Sequence, residues 1–256
     1  MVRICYTLND VMNILGIDIG GSAIKAAPVN PFDGSLAAER LRIATPQPAT
    51  PDGVADTVAK AVGHFNWSGL IGCGLPSVMR NGIACTAANI DPAWIGVDVV
   101  ALLSSRTGLE TMVLNDADAA GLAEMRYGAG SNASGTSLVI TVGTGLGTAL
   151  FRDKTLVPNT ELGHLQLHGK VAEQFASAAV RTELKLTYRE WAQRFDDYLH
   201  RLEDLFWPDL FIIGGEISKD HDQFFPYLTI KTSIMPAALR NDAGIIGAAV
   251  AALQPG

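Results

Sequence analysis

Two rhythms of apolar residues alternate along the chain. "NILGIDIGGSAIKAAPV" (residues 13–29) reads as strand, turn, strand, with Ile17, Ile19, Ile24 and Val29 as β-formers on either side of Gly20-Gly21-Ser22. "LRIATPQPATP" begins as a strand and becomes a Pro-rich connection that cannot stay in a sheet. Val54, Val58, Val62 and Phe65 then recur at helical spacing, with Asp52 placed to cap that helix. "LIGCGLP" is a short strand ending at Gly74 and Pro76, and "VDVVALLSSRTG" a helix closed by Gly108. "TMVLND" reads as a buried strand, and "ADAAGLAEMRYGAG" as a small-residue helix that stops in glycines.

The second half restarts with strands in "SLVITVGTGLGTALF". "LTYREWAQRFDDYLHRLEDLFWP" is the clearest helix: Thr187 and Glu190 make a capping box and Pro208 ends it. Trp191, Phe195, Tyr198, Leu202 and Leu205 share one face, expected to be core rather than a ligand surface. "DLFIIGGEIS" is another buried strand ending in Gly-Gly, and "NDAGIIGAAVAAL" a final helix with Gly and Ala at its packing positions. Strands alternating with helices, with a hairpin-like opening in each half, predict an α/β chain of two similar lobes.

Composition narrows this picture. The 256 residues can bury one large core or two modest ones, and 48% apolar against 18% charged residues exclude a disordered chain. A net charge of −7 argues against nucleic-acid binding by bulk attraction, while a local basic groove stays open. Cys5, Cys73 and Cys85 are scattered without a CxxC, which suits a reducing compartment and offers no zinc framework. No apolar run reaches the ~18 residues of a membrane helix, and "MVRICYTLND" lacks a signal-peptide core. A soluble, cytoplasmic protein is expected.

Chemistry enters with an internal repeat. "IDIGGSAIKAA" (17–27) and "ITVGTGLGTAL" (140–150) are each a β-run, a glycine with a small or hydroxyl neighbour, and a second β-run. Taken singly, Gly-Gly between β-runs is equally a plain hairpin turn. Taken together, two such hairpins facing a cleft would present backbone N–H groups and a hydroxyl, Ser22 or Thr144, to an anion. Neither copy is a P-loop or a Rossmann fingerprint, because a strand rather than a helix follows the glycines.

The two glycine stretches resemble the phosphate loops of the actin, sugar kinase and Hsp70 superfamily. With "LNDADAAGLAE", "ELGHLQL" and "FIIGGEISK" the chain resembles the ROK family of sugar kinases. "ANIDPAWIG", "NTELGHLQLHGK", "PDLFIIGGEISK" and "LRNDAGIIGAA" are similar to its actinobacterial polyphosphate glucokinase branch, some of whose members also use ATP and mannose. The likeness runs from about Asn13 to the end of the chain. It implies an actin-like fold (ribonuclease H-like, duplicated) with two lobes and an active-site cleft between them. Residues 1–114 would form the first lobe and 115–241 the second, with the final helix, 242–256, packed on the first.

Phosphoryl transfer to a sugar hydroxyl needs a neutralised phosphate, an aligned hydroxyl and a proton acceptor. Asp116 stands where a strand gives way to a helix, whose N-terminus favours the ionised form. Read from the residues, it is equally a helix N-cap; the resemblance makes it the base. Asn115 beside it can bind a sugar hydroxyl with either end of its amide, and Asp118 reads as an ordinary first-turn acid. Glu161 and His164, three apart, present two polar heads to one ligand or form a surface turn. The resemblance assigns them to hydroxyls near the anomeric end of a hexose, with Glu173 closing the sugar site. In many relatives this His shares a zinc with a cysteine cluster; no cysteine follows Cys85, so no zinc site is expected. Gly74, Ser77 and Asn89, on turns beside a strand end, are implied sugar contacts.

For the donor, the resemblance implies that Asp18 holds Mg²⁺ through water, with Gly20, Gly21, Ser22 and Lys25 near the terminal phosphate. Thr144, Gly145 and Gly147 would hold phosphates from the other lobe, and Gly214 and Gly215 would lie under an adenine. Lys170, Arg181, Lys185, Arg189 and Arg194 gather in one interval, but acids are almost as frequent there, so a mixed-charge surface is the better reading. Polyphosphate or ATP as donor and glucose, with mannose beside it, as acceptor are thus carried by the resemblance, as is a homodimer; the residues themselves leave the oligomeric state open. Three rivals stand beside this reading. A sugar-binding repressor would need a helix-turn-helix before Gly16, where only some fifteen residues stand. An Hsp70- or actin-type ATPase would not need the Asn-Asp and Glu-x-x-His constellation. A ROK kinase for fructose or N-acetylmannosamine differs only in hydrogen-bond geometry.

Overall fold

The computed structural model describes residues 13–88 and 90–253. Its first half is strands β1 (Ile14–Ile19), β2 (Ala23–Val29), β3 (Leu41–Ala44) and β4 (Ile71–Leu75), a small ribbon β5 (Met79–Arg80) with β6 (Ile83–Ala84), and β7 (Thr111–Asn115). Helices α1 (Pro51–His64), α2 (Val99–Thr107) and α3 (Asp116–Tyr127) connect or follow them. The second half is β8 (Thr136–Val142), β9 (Leu146–Arg152), β10 (Thr155–Val157), a ribbon of β11 (Gln166–Leu167) with β12 (Lys170–Val171), β13 (Leu210–Gly214) and β14 (Ser233–Pro236). Its helices are α4 (Glu173–Ala176), α5 (Ala178–Glu183), α6 (Tyr188–Phe206), α7 (His221–Phe224) and α8 (Ala243–Ala251).

The two halves repeat one topology. One sheet runs β3-β2-β1-β4-β7 and the other β10-β9-β8-β13-β14. In each, the first three strands are antiparallel neighbours and the last two join in parallel. The duplication expected from the two glycine stretches is therefore a duplication of whole sheets, as an actin-like two-lobed fold requires.

Period two in the strands sorts their side chains between two faces. Leu15, Ile17 and Ile19 of β1 and Ile71, Cys73 and Leu75 of β4 enter a core with α1 and α2. Leu138, Ile140, Val142, Phe211 and Ile213 do the same with Trp191, Phe195, Tyr198, Leu199 and Leu202 of α6. The opposite faces, carrying Ile14, Val139 and Ile212, meet α8 and α3. Along β1 the parity that buries Ile17 and Ile19 turns Asp18 to the α8 side.

α8 lies directly on bare backbone. A Cβ at Gly72 would stand 1.9 Å from the Ala248 carbonyl oxygen, and one at Gly247 only 1.6 Å from that of Ala119. Only glycine permits such an approach, so β4, α8 and α3 are clamped through their main chains.

The capping box of Thr187 and Glu190 is present, and Gly108 closes α2 in the left-handed conformation. Two expectations are corrected. Thr50, not Asp52, caps α1, because Pro51 takes the first helical position, where its missing N–H costs nothing. Leu205 is 46% exposed, whereas its neighbour Phe206 packs against the core. The last turn of α6 therefore runs beyond the periodicity of its buried face.

Candidate active site

A cleft of about 800 Å³ separates the sheets, and both glycine hairpins open into it. The first, β1 to β2, brings Asp18, Gly20, Gly21, Ser22 and Lys25 to its wall; the second, β8 to β9, brings Thr144, Gly145 and Gly147. Gly214 and Gly215, at the end of β13, border the same space. Between the hairpins stand Asn115 and Asp116, and facing them Glu161, His164 and Glu173.

The N-cap of α3 is Asn115, whose Oδ1 accepts from the N–H groups of Ala117 at 2.9 Å and Asp118 at 3.0 Å. Its Nδ2 donates to the Ser77 carbonyl at 3.2 Å. Asp116 is thereby relieved of capping: it is the first helical residue, and one oxygen accepts from Ala117 N–H at 2.8 Å while the other makes no hydrogen bond among the described residues. The helix N-terminus does not hold it ionised at low pH. Burial, reinforced by the charges of Asp18 and Glu161, outweighs the Ala117 N–H and pushes its pKa up to about 7. A carboxylate poised there is suited to general-base work near neutrality.

Asp118 is not an ordinary first-turn acid. It is buried, Oδ2 accepts from Asn159 N–H at 2.7 Å, Oδ1 has no partner, and burial raises its pKa to about 7. Asn159 in turn grips Met79 of β5 at both ends of its amide: Oδ1 accepts the Met79 N–H at 2.8 Å and Nδ2 donates to its carbonyl at 2.9 Å. The buried hydroxyl of Thr148 on β9 accepts from Leu162 N–H at 3.1 Å and donates to the Thr160 carbonyl. These two anchors fix the 159–164 segment.

On that segment, a single 3-10 turn (Leu162–His164) carries His164 between two glutamates. Its Nδ1 lies 3.7 Å from Glu161 Oε2 and its Nε2 3.7 Å from Glu173 Oε1. Both separations exceed a hydrogen bond and leave donors and acceptors free for a polyhydroxyl ligand. Burial raises the Glu161 pKa, the His164 ring opposes that shift and Glu173 adds to it.

Two expected sugar contacts stand apart from the cleft. The Ser77 hydroxyl is buried and donates to the Thr86 carbonyl at 2.7 Å, so it serves the fold. Gly74 is buried beneath Asp116 and Ala119 rather than in the cleft wall, and Asn89 lies outside the described residues. Gly147 does border the cleft, but its missing Cβ also serves packing: one there would meet Thr141 Oγ1 at 2.4 Å and Ala117 Cβ at 2.8 Å.

The structure adds residues that local sequence did not mark: Thr148, Asn159 and the cations Arg40, Arg42 and Arg240, which line the cleft. The basic residues between 170 and 194 lie elsewhere. Arg181, Arg189 and Arg194 stack on Tyr188, Tyr227 and Phe175, a mixed surface rather than an anion groove.

For a divalent metal the donor set fits. Asp18 offers a hard carboxylate in the cleft with Oδ2 bonded to Lys25 Nζ at 2.9 Å and Oδ1 free among the described residues. Those residues contain no cluster of three or more His, Cys, Asp or Glu with metal-binding geometry. Mg²⁺ needs none, since it retains waters and takes one or two carboxylates plus substrate phosphates.

Comparison with known proteins identifies the family of the chain and agrees with its fold. Residues 14–179 match the model of the ROK family. The polyphosphate glucokinase of Mycobacterium tuberculosis is 46% identical over 239 residues, 93% of this chain and 90% of that protein. Among solved structures, the inorganic polyphosphate/ATP-glucomannokinase of Arthrobacter sp. strain KM superposes with a TM-score of 0.91 at 46% identity, covering 94% of this chain and 98% of that one. A ROK glucokinase from Streptomyces griseus, solved with glucose and AMPPNP, gives 0.78 at 25% identity over 93% and 98%.

Proposed function

The chain belongs to the ROK family, and from that premise we propose that it transfers a phosphoryl group from polyphosphate or ATP to the 6-hydroxyl of glucose, with mannose as a second acceptor. The observation that carries the chemistry is the unbonded oxygen of Asp116, held at the junction of the two hairpins and the Glu161–His164–Glu173 group. Glu161, His164 and Glu173 hold sugar hydroxyls. Asp116 accepts the proton of the 6-hydroxyl as that oxygen bonds to the terminal phosphorus and the bond from phosphorus to the donor's bridging oxygen breaks. The donor leaves as ADP or as a polyphosphate shorter by one phosphate.

Backbone N–H groups of Gly21, Ser22, Thr144 and Gly145 hold the donor phosphates, as glycine turns do for anions generally, while those of Gly20 and Gly143 are taken up within their own turns. Asp18 would hold Mg²⁺, which would supply neutralisation of the phosphate charge when bound. Gly214 and Gly215 provide a side-chain-free wall for an adenine. The two lobes, residues 1–114 with the final helix and residues 115–241, close over the sugar and exclude water as a competing nucleophile. A homodimer and a cytoplasmic setting complete this reading; no described helix is long and apolar enough to cross a membrane.

The test is direct. Purified protein with Mg²⁺ and glucose receives ATP or nucleotide-free polyphosphate, and glucose 6-phosphate is measured. Product with each donor is the expected result. Product with neither, alongside turnover of fructose or N-acetylmannosamine with ATP, overturns the acceptor assignment.

A further inference from the structure

The cleft is lined by the cations Lys25, Arg40, Arg42 and Arg240 as well as by acids, although the whole chain carries a charge of −7. Asp18, Lys25 and Arg42 stand in a row across β1, β2 and β3, each directly opposite the next. Lys25 is neutralised by Asp18, but Arg42 has no ion pair among the described residues. Arg42 is therefore the cation of this row left to attract an anion.

Beyond Arg42 the cleft continues into a second space of about 550 Å³, with Arg40 and Arg240 on the walls of both. Arg40 pairs with Asp242 at 2.5 Å and Lys219, on the far wall, with Glu216 at 2.5 Å. Arg240 is exposed and has no ion pair among the described residues. It also sits in the left-handed region at φ 52°, a conformation that a non-glycine residue holds only against a cost. Two cations without partners thus flank a passage that leads from the phosphate hairpins to solvent. Among the described residues, neither space is lined by Phe, Tyr or Trp, so the passage offers charge rather than aromatic stacking.

We propose that this passage binds the trailing phosphates of a polyphosphate donor, with Arg42 and Arg240 as its determining residues. The inference rests on the donor reading above and deepens it. Both donors place their terminal phosphates between the hairpins; beyond these a polyphosphate continues as charged phosphates, which the arginines can pair, and ATP continues as a nucleoside, which they cannot. Arginine suits this task because its planar fork meets phosphate oxygens in pairs and stays charged at any working pH.

The experiment compares tripolyphosphate with long-chain polyphosphate in the wild type and in an Arg42→Ala/Arg240→Ala variant. Both side chains are exposed, so the fold should survive, which circular dichroism checks. In the wild type, KM per chain should fall as the chain lengthens. In the variant this advantage should shrink, with long-chain KM rising about tenfold and its salt dependence becoming shallower, while tripolyphosphate KM rises by a clearly smaller factor, because Arg42 also lines the cleft of the phosphate hairpins. Lysine at both positions should restore part of the effect. An equal loss with both chain lengths, or none with either, overturns the track. A wild type inert with polyphosphate of every length yet active with ATP overturns the donor reading itself, and is recognised before any variant is made.

Discussion

The two glycine hairpins are the same object built with different chemistry. Each links the first two strands of a sheet of identical order, yet the first spans four residues between its last paired positions, Ile19 and Ile24, and the second three, between Val142 and Leu146. One pair in from the turn, the first hairpin sets Asp18 opposite Lys25, and the second sets Thr141 opposite Gly147. The first hairpin carries charge, and the second offers main chain and hydroxyls. A duplicated fold supplies symmetric anion nests, and the asymmetry needed for catalysis comes from two or three side chains.

Asp116 stands between them, and its removal should have the largest effect. Asp116→Asn should lower kcat by about 10³-fold or more, within the span of general-base loss, with glucose KM within a few-fold of wild type; retention of wild-type kcat means another group is the base. In the parent enzyme kcat/KM should rise with pH through about 7, as the Asp116 carboxyl ionises.

Breaking the charged hairpin should hurt far more than breaking its neutral twin. Asp18→Asn should cost about 10²-fold in kcat and raise the Mg²⁺ concentration required, whereas Thr141→Val should stay within about fivefold. Equal losses would erase the proposed asymmetry. A stability measurement probes the shorter turn. Gly147→Ala forces a methyl against Ala117 and Thr141 and should lower the denaturant midpoint by an amount corresponding to about 1–3 kcal/mol.

The smallest effect concerns Asp118. Its carboxyl keeps its proton in the fold up to about pH 7, whereas the unfolded chain loses it near the ordinary value of 3.8. Between those values the folded state binds more protons at this group, so its contribution to stability is greatest below about pH 4, falls as pH rises and levels off above 7. Asp118→Asn should flatten that slope in part, with Asp116 supplying the remainder; an unchanged Tm–pH profile would show that Asp118 is not the buried acid responsible.

Much of this was legible because it is local. The glycine stretches, the Thr187–Glu190 box and the buried face of α6 are patterns within a few residues of one another. The register at helix starts was harder. "TPD" and "ND" each offer two good caps, and the choice of Thr50 over Asp52 follows from Pro51, a signal present in the sequence. No comparable signal separates Asn115 from Asp116, because either side chain can cap. Arg40, Arg42 and Arg240 come from segments two hundred residues apart and become neighbours only through sheet register and the meeting of the two halves. Thr148 and Asn159 read as ordinary strand and loop residues until the backbone groups they hold are in place. Ser77 erred in the other direction: a polar residue at a turn was given to the ligand, and the fold had already claimed its hydroxyl.

The seating of α8 on Gly72 sets the order in which the molecule can be made. β1 and β4 are among the first segments to be synthesised, while the helix that covers their inner face begins only at Ala243. Ile14, Ala27 and Val29 therefore wait uncovered, with Ile245 and Val250 still to come. The first sheet cannot finish ahead of the second, so the nascent chain completes both together and late, through contacts that span nearly its whole length. A chain stopped before Ala243 would retain all ten strands of the two sheets and still leave one of them open to aggregation.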